Sequence, residues 1–367
     1  MQESKKSALV PSIIIIIVLI IIVFVGFWMY AHQKSTVGKT STSSANSQIA
    51  FDADLIMQYQ KIPDSENSLA AFYAASSTVL SKNDQNFLTT YISNNPTNKL
   101  PPPGQAAKVL TSNQNLLKVF DANLDKQYQC SMIRDEICPL AIMRTTEFMA
   151  AARTFSYLDQ GKYDAAQKSA LDVVRLGQII DAHADDDVTL LIGWVGQKIG
   201  YDQALMVQSR SKPALPQVYT DSEKSALISQ LRREHKAVIT SNYVLHSEAI
   251  DYLSSATYVP DDRSLMPADP DEVNALAERR RDIAANPKGW NPQETKKYYY
   301  DSAKIELSNV DLPCGAQLAS STIDVGYNPE RPNDENSIGK QIYSTTYASL
   351  SSLNTRRCAI EADINKL

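Results

Sequence analysis

The chain has 367 residues, with 36 lysines and arginines against 41 acidic residues and a formal net charge of -5. This length suits one large or two ordinary domains, and the acidic balance disfavours a nucleic-acid partner, so we expect none. Only 12 glycines accompany 17 prolines, which disfavours tight β-hairpins and dinucleotide-binding loops. The composition therefore predicts an all-α protein whose long helices are separated by proline-containing connections.

An apolar segment follows a short N-terminal tail, residues 1–12. Residues 13–31 contain no charged side chain, and a helix of this length would cross most of a hydrocarbon layer about 30 Å thick. Phe27, Trp28 and Tyr30 lie at its C-terminal end, where aromatic rings sit at the headgroup level. A cleaved signal peptide normally has an apolar core of only about 7 to 15 residues. The segment is therefore predicted to be an uncleaved signal-anchor, a transmembrane helix in the lipid bilayer.

The orientation of this anchor rests on two observations. Lys5 and Lys6 on one side are nearly matched by Lys34 and Lys39 on the other, so the charge bias favours a cytoplasmic N-terminus only slightly. All four cysteines follow the anchor, and an even number suits an oxidising compartment. We expect a bitopic protein of the inner or cytoplasmic membrane with a periplasmic or other extracytoplasmic C-terminal domain; four buried thiols in a cytoplasmic domain are the alternative.

A tether and two helical segments follow. Residues 32–50 are rich in serine and threonine, as in flexible linkers, and residues 51–367 form the predicted helical ectodomain. One helix is predicted to begin at 62–67 and to continue to about Leu80. Prolines interrupt the pattern over 94–104, after which a second helix is predicted. It covers 105–126.

The remainder of the chain predicts further helices. The predicted helices are 140–159, 163–183, 186–208, 220–254, 292–307 and 339–364. Thr220 and Glu223 have the spacing of a capping box at the start of the fourth of these. Residues 258–292 contain several prolines and mixed charges, which indicates an irregular excursion with one short helix.

The predicted hairpin at 140–183 carries a resemblance. The residues from Leu158 to Ala166 read LDQGKYDAA, and they resemble the centre of a tetratricopeptide repeat over about one repeat. Gly161 suits a positive φ at the turn, Tyr163 can cover the hairpin end, and Ala166 allows close approach of the helices. No second copy occurs near a period of 34. More widely, the order of features is similar to that of uncharacterised bacterial membrane-anchored helical proteins, and this likeness implies no activity.

Two groups of residues are candidates for metal binding. His235 and His246 are about 16 Å apart along one predicted helix, so they cannot share a metal, and surface or core-edge positions are expected. Asp181, His183 and 185–187 form the densest group of metal-ligating residue types, and the aspartate oxygens among them could bind calcium. Helix capping is the preferred interpretation of these acids, because the glycine and glutamate of an EF-hand are absent. No metal or other cofactor is therefore predicted.

Small residues mark one predicted helix. Gly193, Gly196 and Gly200 are three and four residues apart, and a nucleotide-binding loop is disfavoured because a preceding strand and a Lys-Ser or Lys-Thr pair are absent. Close helix packing is the expected role of these glycines, and also of Gly161, Tyr163 and Ala166.

The four cysteines are disulfide candidates. Cys130 with Cys138 and Cys314 with Cys358 is the preferred pairing, although spacing alone cannot choose among the three possible pairings. A zinc site with four thiolates is disfavoured, because neither pair has the short spacing of zinc ligands.

No local motif predicts catalysis. The chain lacks Gly-x-Ser-x-Gly and His-Glu-x-x-His. The basic groups at 279–281 and at 296–300 have acidic neighbours, so solvated helix faces are expected, with partner binding as the alternative for Tyr298 to Tyr300. We expect a membrane-anchored binding or scaffolding protein of the cell envelope with an unidentified protein partner. The alternatives are an envelope hydrolase whose site is assembled from residues distant in sequence, and a structural subunit of a membrane assembly.

Overall fold

A computed structural model describes residues 62–93, 99–130, 138–184, 186–254, 270–316, 324–327, 334–346 and 351–367. Over these residues the regular structure is entirely helical, with twelve α-helices and no β-strand. The all-α prediction is confirmed. The tail, the predicted anchor and the tether lie outside the described residues, and no described helix is both long and apolar enough to span a bilayer.

The helices are numbered in chain order. They are α1 (Leu69–Ala75), α2 (Lys82–Leu88), α3 (Gln105–Ser112), α4 (Gln114–Asn123), α5 (Leu140–Asp159), α6 (Tyr163–Asp181), α7 (Asp187–Arg210), α8 (Asp221–Ser254), α9 (Pro270–Ala285), α10 (Pro292–Asp311), α11 (Ser337–Thr346) and α12 (Ser351–Lys366). A π-helical turn, Thr89–Ser93, follows α2, and a 3-10 turn, Pro287–Gly289, precedes α10.

Helices α5 and α6 form a hairpin. Gly161 adopts a φ of 67° between them, a conformation that costs glycine no side-chain strain. Tyr163 is the first residue of α6, and Ala166 in the first turn is completely buried. A helical hairpin therefore lies where the sequence predicts one. Its likeness to a tetratricopeptide repeat stays a prediction.

Helix α7 packs against α6 at unusually short range. A Cβ atom at Gly193 would lie 2.6 Å from the backbone oxygen of Gly177, and one at Gly200 would lie 2.7 Å from that of Ala170. Residues later in α7 thus meet residues earlier in α6, so the two helices are antiparallel. The absence of side chains at these positions lets the backbones touch.

Helices α8 and α12 complete the centre of the bundle. The predicted capping box begins α8: the Thr220 N–H donates to Glu223 Oε2 at 2.7 Å, and the Glu223 N–H donates to Thr220 Oγ1 at 3.3 Å. Arg232 forms two hydrogen bonds to Glu361 of α12, at 3.0 and 2.9 Å. The capping bonds of Thr220 and Glu223 satisfy backbone groups in the first turn of α8 and so stabilise the start of this helix of 34 residues.

Both disulfides of the preferred pairing are present. Cys130 and Cys138 have Cα atoms 5.7 Å apart, and Cys314 and Cys358 have Cα atoms 5.5 Å apart. The first lies between the N-terminal helices and α5. The second fastens the loop after α10 to α12. The prediction of disulfides is confirmed.

Several predicted helix boundaries are wrong. The helix predicted from 62–67 to Leu80 is only α1, because the chain leaves it at Ser76. The helix predicted over 105–126 is interrupted at Asn113, whose side chain bonds to Val109 O. Such a side chain competes with the backbone for helical hydrogen bonds. Within 258–292, α9 has 16 residues and is longer than the short helix expected there.

Candidate binding groove and buried acid cluster

A groove of about 970 Å³ opens between α2, with its π-helical turn, and the start of α3. Ser81 caps α2 by accepting a hydrogen bond from the Asp84 N–H at 3.1 Å. Asp84 is buried and accepts a hydrogen bond from Asn113 Nδ2 at 3.0 Å. This bond joins the two walls. On the opposite side Gly104, with a φ of 74°, turns the chain into α3, and its N–H donates to Asp159 Oδ2 at 2.9 Å.

The groove presents apolar side chains beside polar ones. Val79 is 88% exposed, the most exposed large apolar side chain among the described residues. Phe87 and Tyr91 pack on one wall with ring centroids 5.3 Å apart and an angle of 42° between the rings, and Pro102 and Pro103 line the other. Exposed apolar groups of this kind lose their contact with water when a ligand covers them.

Amide side chains supply most of the polar surface. Asn83, Asn86 and Gln105 line the groove, and each primary amide can both donate and accept hydrogen bonds. Asp84 and Lys108 carry the charges of the described lining, and Asp84 is committed to Asn113. The groove is therefore suited to a ligand with many neutral hydrogen-bonding groups and little charge.

A second constellation lies inside the bundle. Glu147 of α5, Asp181 of α6 and Glu234 of α8 are 0%, 1% and 5% exposed. A Cβ atom at Gly196 of α7 would overlap the carboxylate of Glu147, and Gln197 donates a short hydrogen bond to Asp181 Oδ2. Within the described part of the chain, neither carboxylate oxygen of Glu147 has a hydrogen-bond partner.

Burial controls the ionisation of these acids. Desolvation raises the pKa of Glu147 well above 4.5, although the charge of Arg144 opposes it. The pKa of Asp181 is raised by burial and then by the negative charge of Glu234. Burial raises the pKa of Glu234 to about 7. A buried carboxylate without a cationic partner is costly, so burial keeps these acids neutral to a higher pH than an exposed acid.

His235 and His246 lie in the core, so the expectation of surface or core-edge positions is wrong for both. His235 packs edge-on against Trp194 at 5.3 Å between centroids, and His246 stacks on Tyr299 at 4.1 Å. Burial lowers the pKa of each histidine to about 3, so both are neutral at physiological pH. The aromatic partners come from α7 and α10, and within the described residues neither ring nitrogen of His235 has a hydrogen-bond partner.

The predicted acidic cluster serves helix capping where it is described. Asp186 Oδ1 accepts hydrogen bonds from the Val188 and Thr189 N–H groups, both at 2.8 Å, while Asp181 points into the buried cluster. Asp185 lies outside the described residues. Over the described ranges, no three His, Cys, Asp or Glu side chains are placed to hold a metal ion.

The basic groups are engaged with neighbours. Lys296 pairs with Asp251 at 2.6 Å, Lys297 pairs with Asp301, and Arg279 donates to Gln341 at 3.4 Å. Of the tyrosine group, Tyr299 is 1% exposed and belongs to the core.

The groove is not among the sites predicted from the sequence. Its residues come from the part of the chain where the predicted helices were misplaced, and the signal that marks it is the combination of Pro101 to Pro103 with nearby asparagines and an aromatic. No protein-family model, curated protein or solved structure matches this chain. The groove and the buried cluster are therefore the features of the described residues that bear on function.

Proposed function

We propose that this chain is a membrane-anchored helical binding protein of the cell envelope, and that its groove holds an extended segment of a protein partner. The anchor predicted at 13–31 supports the attachment, and the disulfides support an oxidising compartment. The observation that carries the proposal is the open groove of about 970 Å³ with amide and apolar walls.

The chemistry of the walls favours an extended peptide. A peptide backbone in extended form presents N–H and C=O groups that no internal bond satisfies, and the amides of Asn83, Asn86 and Gln105 can meet both kinds. Alternate side chains of such a peptide can cover Val79 and Tyr91. Few charged groups line the groove, which disfavours a highly charged ligand such as a nucleic acid.

A hydrolase is the alternative, because three carboxyl groups distant in sequence do meet inside the bundle. These groups are at most 5% exposed, and a polymeric envelope substrate cannot reach them without opening the helices. The groove, by contrast, is open to solvent. Accessibility therefore favours binding over catalysis.

A selection from a display library of random peptides tests the proposal with detergent-solubilised full-length protein. We expect selected peptides to share an apolar, uncharged motif, and we expect Val79→Asp to weaken their binding at least about tenfold by placing a charge where an apolar side chain docks. Ala107→Asp is the matched control, because Ala107 is exposed on α3 and lies outside the lining of the groove.

The outcomes separate clearly. Peptides that bind wild type and the control variant equally but lose affinity for Val79→Asp support the groove as the site. Selected peptides that bind all three proteins equally, or a selection that enriches no motif, would contradict the proposal. Asn86→Ala provides a second variant in which a lost amide is expected to weaken binding about threefold to tenfold.

A further inference from the structure

The two disulfides differ in how easily solvent reaches them. Cys314 is exposed, and so are the residues on either side of it, Pro313 and Gly315. Cys130 of the other bond is 1% exposed and belongs to the apolar core. Thiol–disulfide exchange requires a thiolate to approach one sulfur of the bond. The bond between Cys314 and Cys358 is therefore the more accessible of the two to an attacking thiolate.

The exposed cysteine lies beside a cluster of charges. Cys314 Sγ is 3.5 Å from Glu361 Oε2. The Glu361 carboxylate accepts two hydrogen bonds from Arg232, at 3.0 and 2.9 Å, and a short one from Arg357. Asp311 is neutralised by a lysine of α8 at 2.6 Å, so two guanidinium groups face one carboxylate. This net positive charge favours the approach of a thiolate and stabilises the thiolate that leaves.

The Cys314–Cys358 bond fastens the loop after α10 to α12, and α12 has other contacts that hold it in the bundle. Ile360 and Ile364 of α12 are completely buried. Asp363 of the same helix pairs with Lys198 of α7 at 3.0 Å. The loop residues 313–316, in contrast, are all exposed. Breaking the bond is therefore expected to release this loop while α12 stays packed.

We propose that the Cys314–Cys358 bond is a site of reversible thiol–disulfide exchange with a protein dithiol, and that its reduction releases the loop after α10. The Cys130–Cys138 bond, with a sulfur in the core, remains oxidised and structural under the same conditions. The proposal makes no use of the groove, so it stands or falls independently of the proposed function.

The exchange takes place in two steps. A thiolate of the dithiol attacks Cys314 Sγ, the S–S bond breaks, and Cys358 leaves as a thiolate that takes up a proton. The second thiolate of the dithiol then attacks the reductant's own sulfur in the mixed disulfide, which closes the reductant's disulfide and releases Cys314, also to be protonated. Two electrons and two protons pass from the dithiol to this chain, and the reverse reaction restores the bond.

Reduction of the folded protein tests the selectivity of the site. Detergent-solubilised full-length protein is treated with dithiothreitol, free thiols are trapped by alkylation, and each modified cysteine is quantified by mass spectrometry. We expect Cys314 and Cys358 to be alkylated at least about tenfold faster than Cys130 and Cys138, because a buried sulfur is shielded from the thiolate. Under denaturing conditions the two bonds should react within about threefold of each other, which would assign the difference to the fold.

Substitutions of Arg232 test the contribution of positive charge. Arg232→Gln removes one of the two cations bonded to Glu361, so the reduction of the Cys314–Cys358 bond should slow about threefold. Arg232→Lys keeps the charge and should react at nearly the wild-type rate. Arg175→Gln, which alters a surface arginine paired with an aspartate, is the matched control and should also leave the rate unchanged. An unchanged rate in Arg232→Gln would contradict the role given to these charges.

Hydrogen exchange on the reduced and alkylated wild-type protein tests the release of the loop. We expect faster exchange over 308–316, the last turn of α10 and the loop after it, whereas Ile360 and Ile364 should keep their slow exchange. Loss of protection throughout α12 would overturn the proposed release, because the bond would then be needed for the fold. Equal reduction rates for the two disulfides of the folded protein, or faster reduction of the Cys130–Cys138 bond, would overturn the exchange site itself.

Discussion

The helices before the first disulfide and the bundle after it differ in where they place polar side chains. In the region 62–130, polar side chains such as Asn83 and Asn86 face an open groove, and an apolar residue, Val79, is exposed beside them. In the bundle, Glu147 and Glu234 are buried and helix backbones approach closely. The first arrangement leaves hydrogen-bonding capacity free for a ligand. The second arrangement buries acidic residues away from water, which lowers the free energy of unfolding.

The two disulfides offer the largest expected contrast between these regions. The Cys314–Cys358 bond closes a loop of 44 residues and the Cys130–Cys138 bond a loop of 8. Loop-closure entropy predicts losses of about 4 and about 2.5 kcal/mol when each is removed by a pair of Cys→Ser substitutions. Chemical denaturation measures both values. Equal losses would show that residual structure or native strain, rather than loop length, governs the two regions.

Glycine substitutions compare close backbone packing with a strained turn. Gly193→Ala places a methyl group 2.6 Å from the backbone oxygen of Gly177. Backbone in a helix cannot move aside as the end of a side chain can, so we expect the free energy of unfolding to fall by about 3 kcal/mol. Gly104→Ala has open space around it but a φ of 74°, so a loss of about 1 kcal/mol is expected. If urea denaturation gives the same loss for both, the close packing of α6 and α7 has been overestimated.

The buried acid cluster gives the bundle a dependence on pH that the groove should lack. Glu234 has a folded pKa of about 7, above its ordinary 4.5, so its contribution is fully present below pH 4.5 and is lost as the pH rises through 7. Glu234→Gln should therefore raise the free energy of unfolding by about 2 to 3 kcal/mol at pH 8 and change it little at pH 4.5. Gln230 donates to Glu234 Oε1 at 2.8 Å, and glutamine keeps that acceptor.

Unfolding of both proteins across pH 4.5 to 8 measures this difference, with Asp125→Asn as the surface control. Asp125 is 89% exposed in its pair with Arg175, so its substitution should change stability by less than about 1 kcal/mol at either pH. A Glu234→Gln protein that is no more stable than wild type at pH 8 would contradict the raised pKa of this buried acid.

The smallest effect is expected in the groove. Val79→Ser should alter the free energy of unfolding by less than about 0.5 kcal/mol, because the side chain is 88% exposed. The same denaturation assay checks this. A loss above 1 kcal/mol would mean that Val79 supports the fold, and the contrast between the two regions would weaken accordingly.

Local signals predicted the parts of the fold that local forces determine. Gly161 marks the α5–α6 turn, and Thr220 with Glu223 marks the start of α8, because turns and caps involve neighbouring residues. The break at Asn113 was missed, since an asparagine side chain within a helical pattern has more than one possible partner.

The candidate site depended on contacts that sequence spacing does not reveal. Acidic side chains on helices normally face solvent, so nothing in the sequence marks Glu147, Asp181 and Glu234 as buried. Only the packing of α5, α6 and α8 around α7 brings these three acids together. The groove likewise requires α2 and α3 to be placed correctly. Neither the burial of the acids nor the opening of the groove follows from periodicity alone.

The contact between Glu147 and Gly196 links two positions far apart in the chain. Any side chain at 196 would occupy the space of the Glu147 carboxylate, whereas a shorter residue at 147 would leave that space empty. Substitutions at the two positions are therefore expected to be non-additive, with a small residue at 147 permitting alanine at 196. In related chains, a larger residue at 196 is therefore expected only together with a small residue at 147.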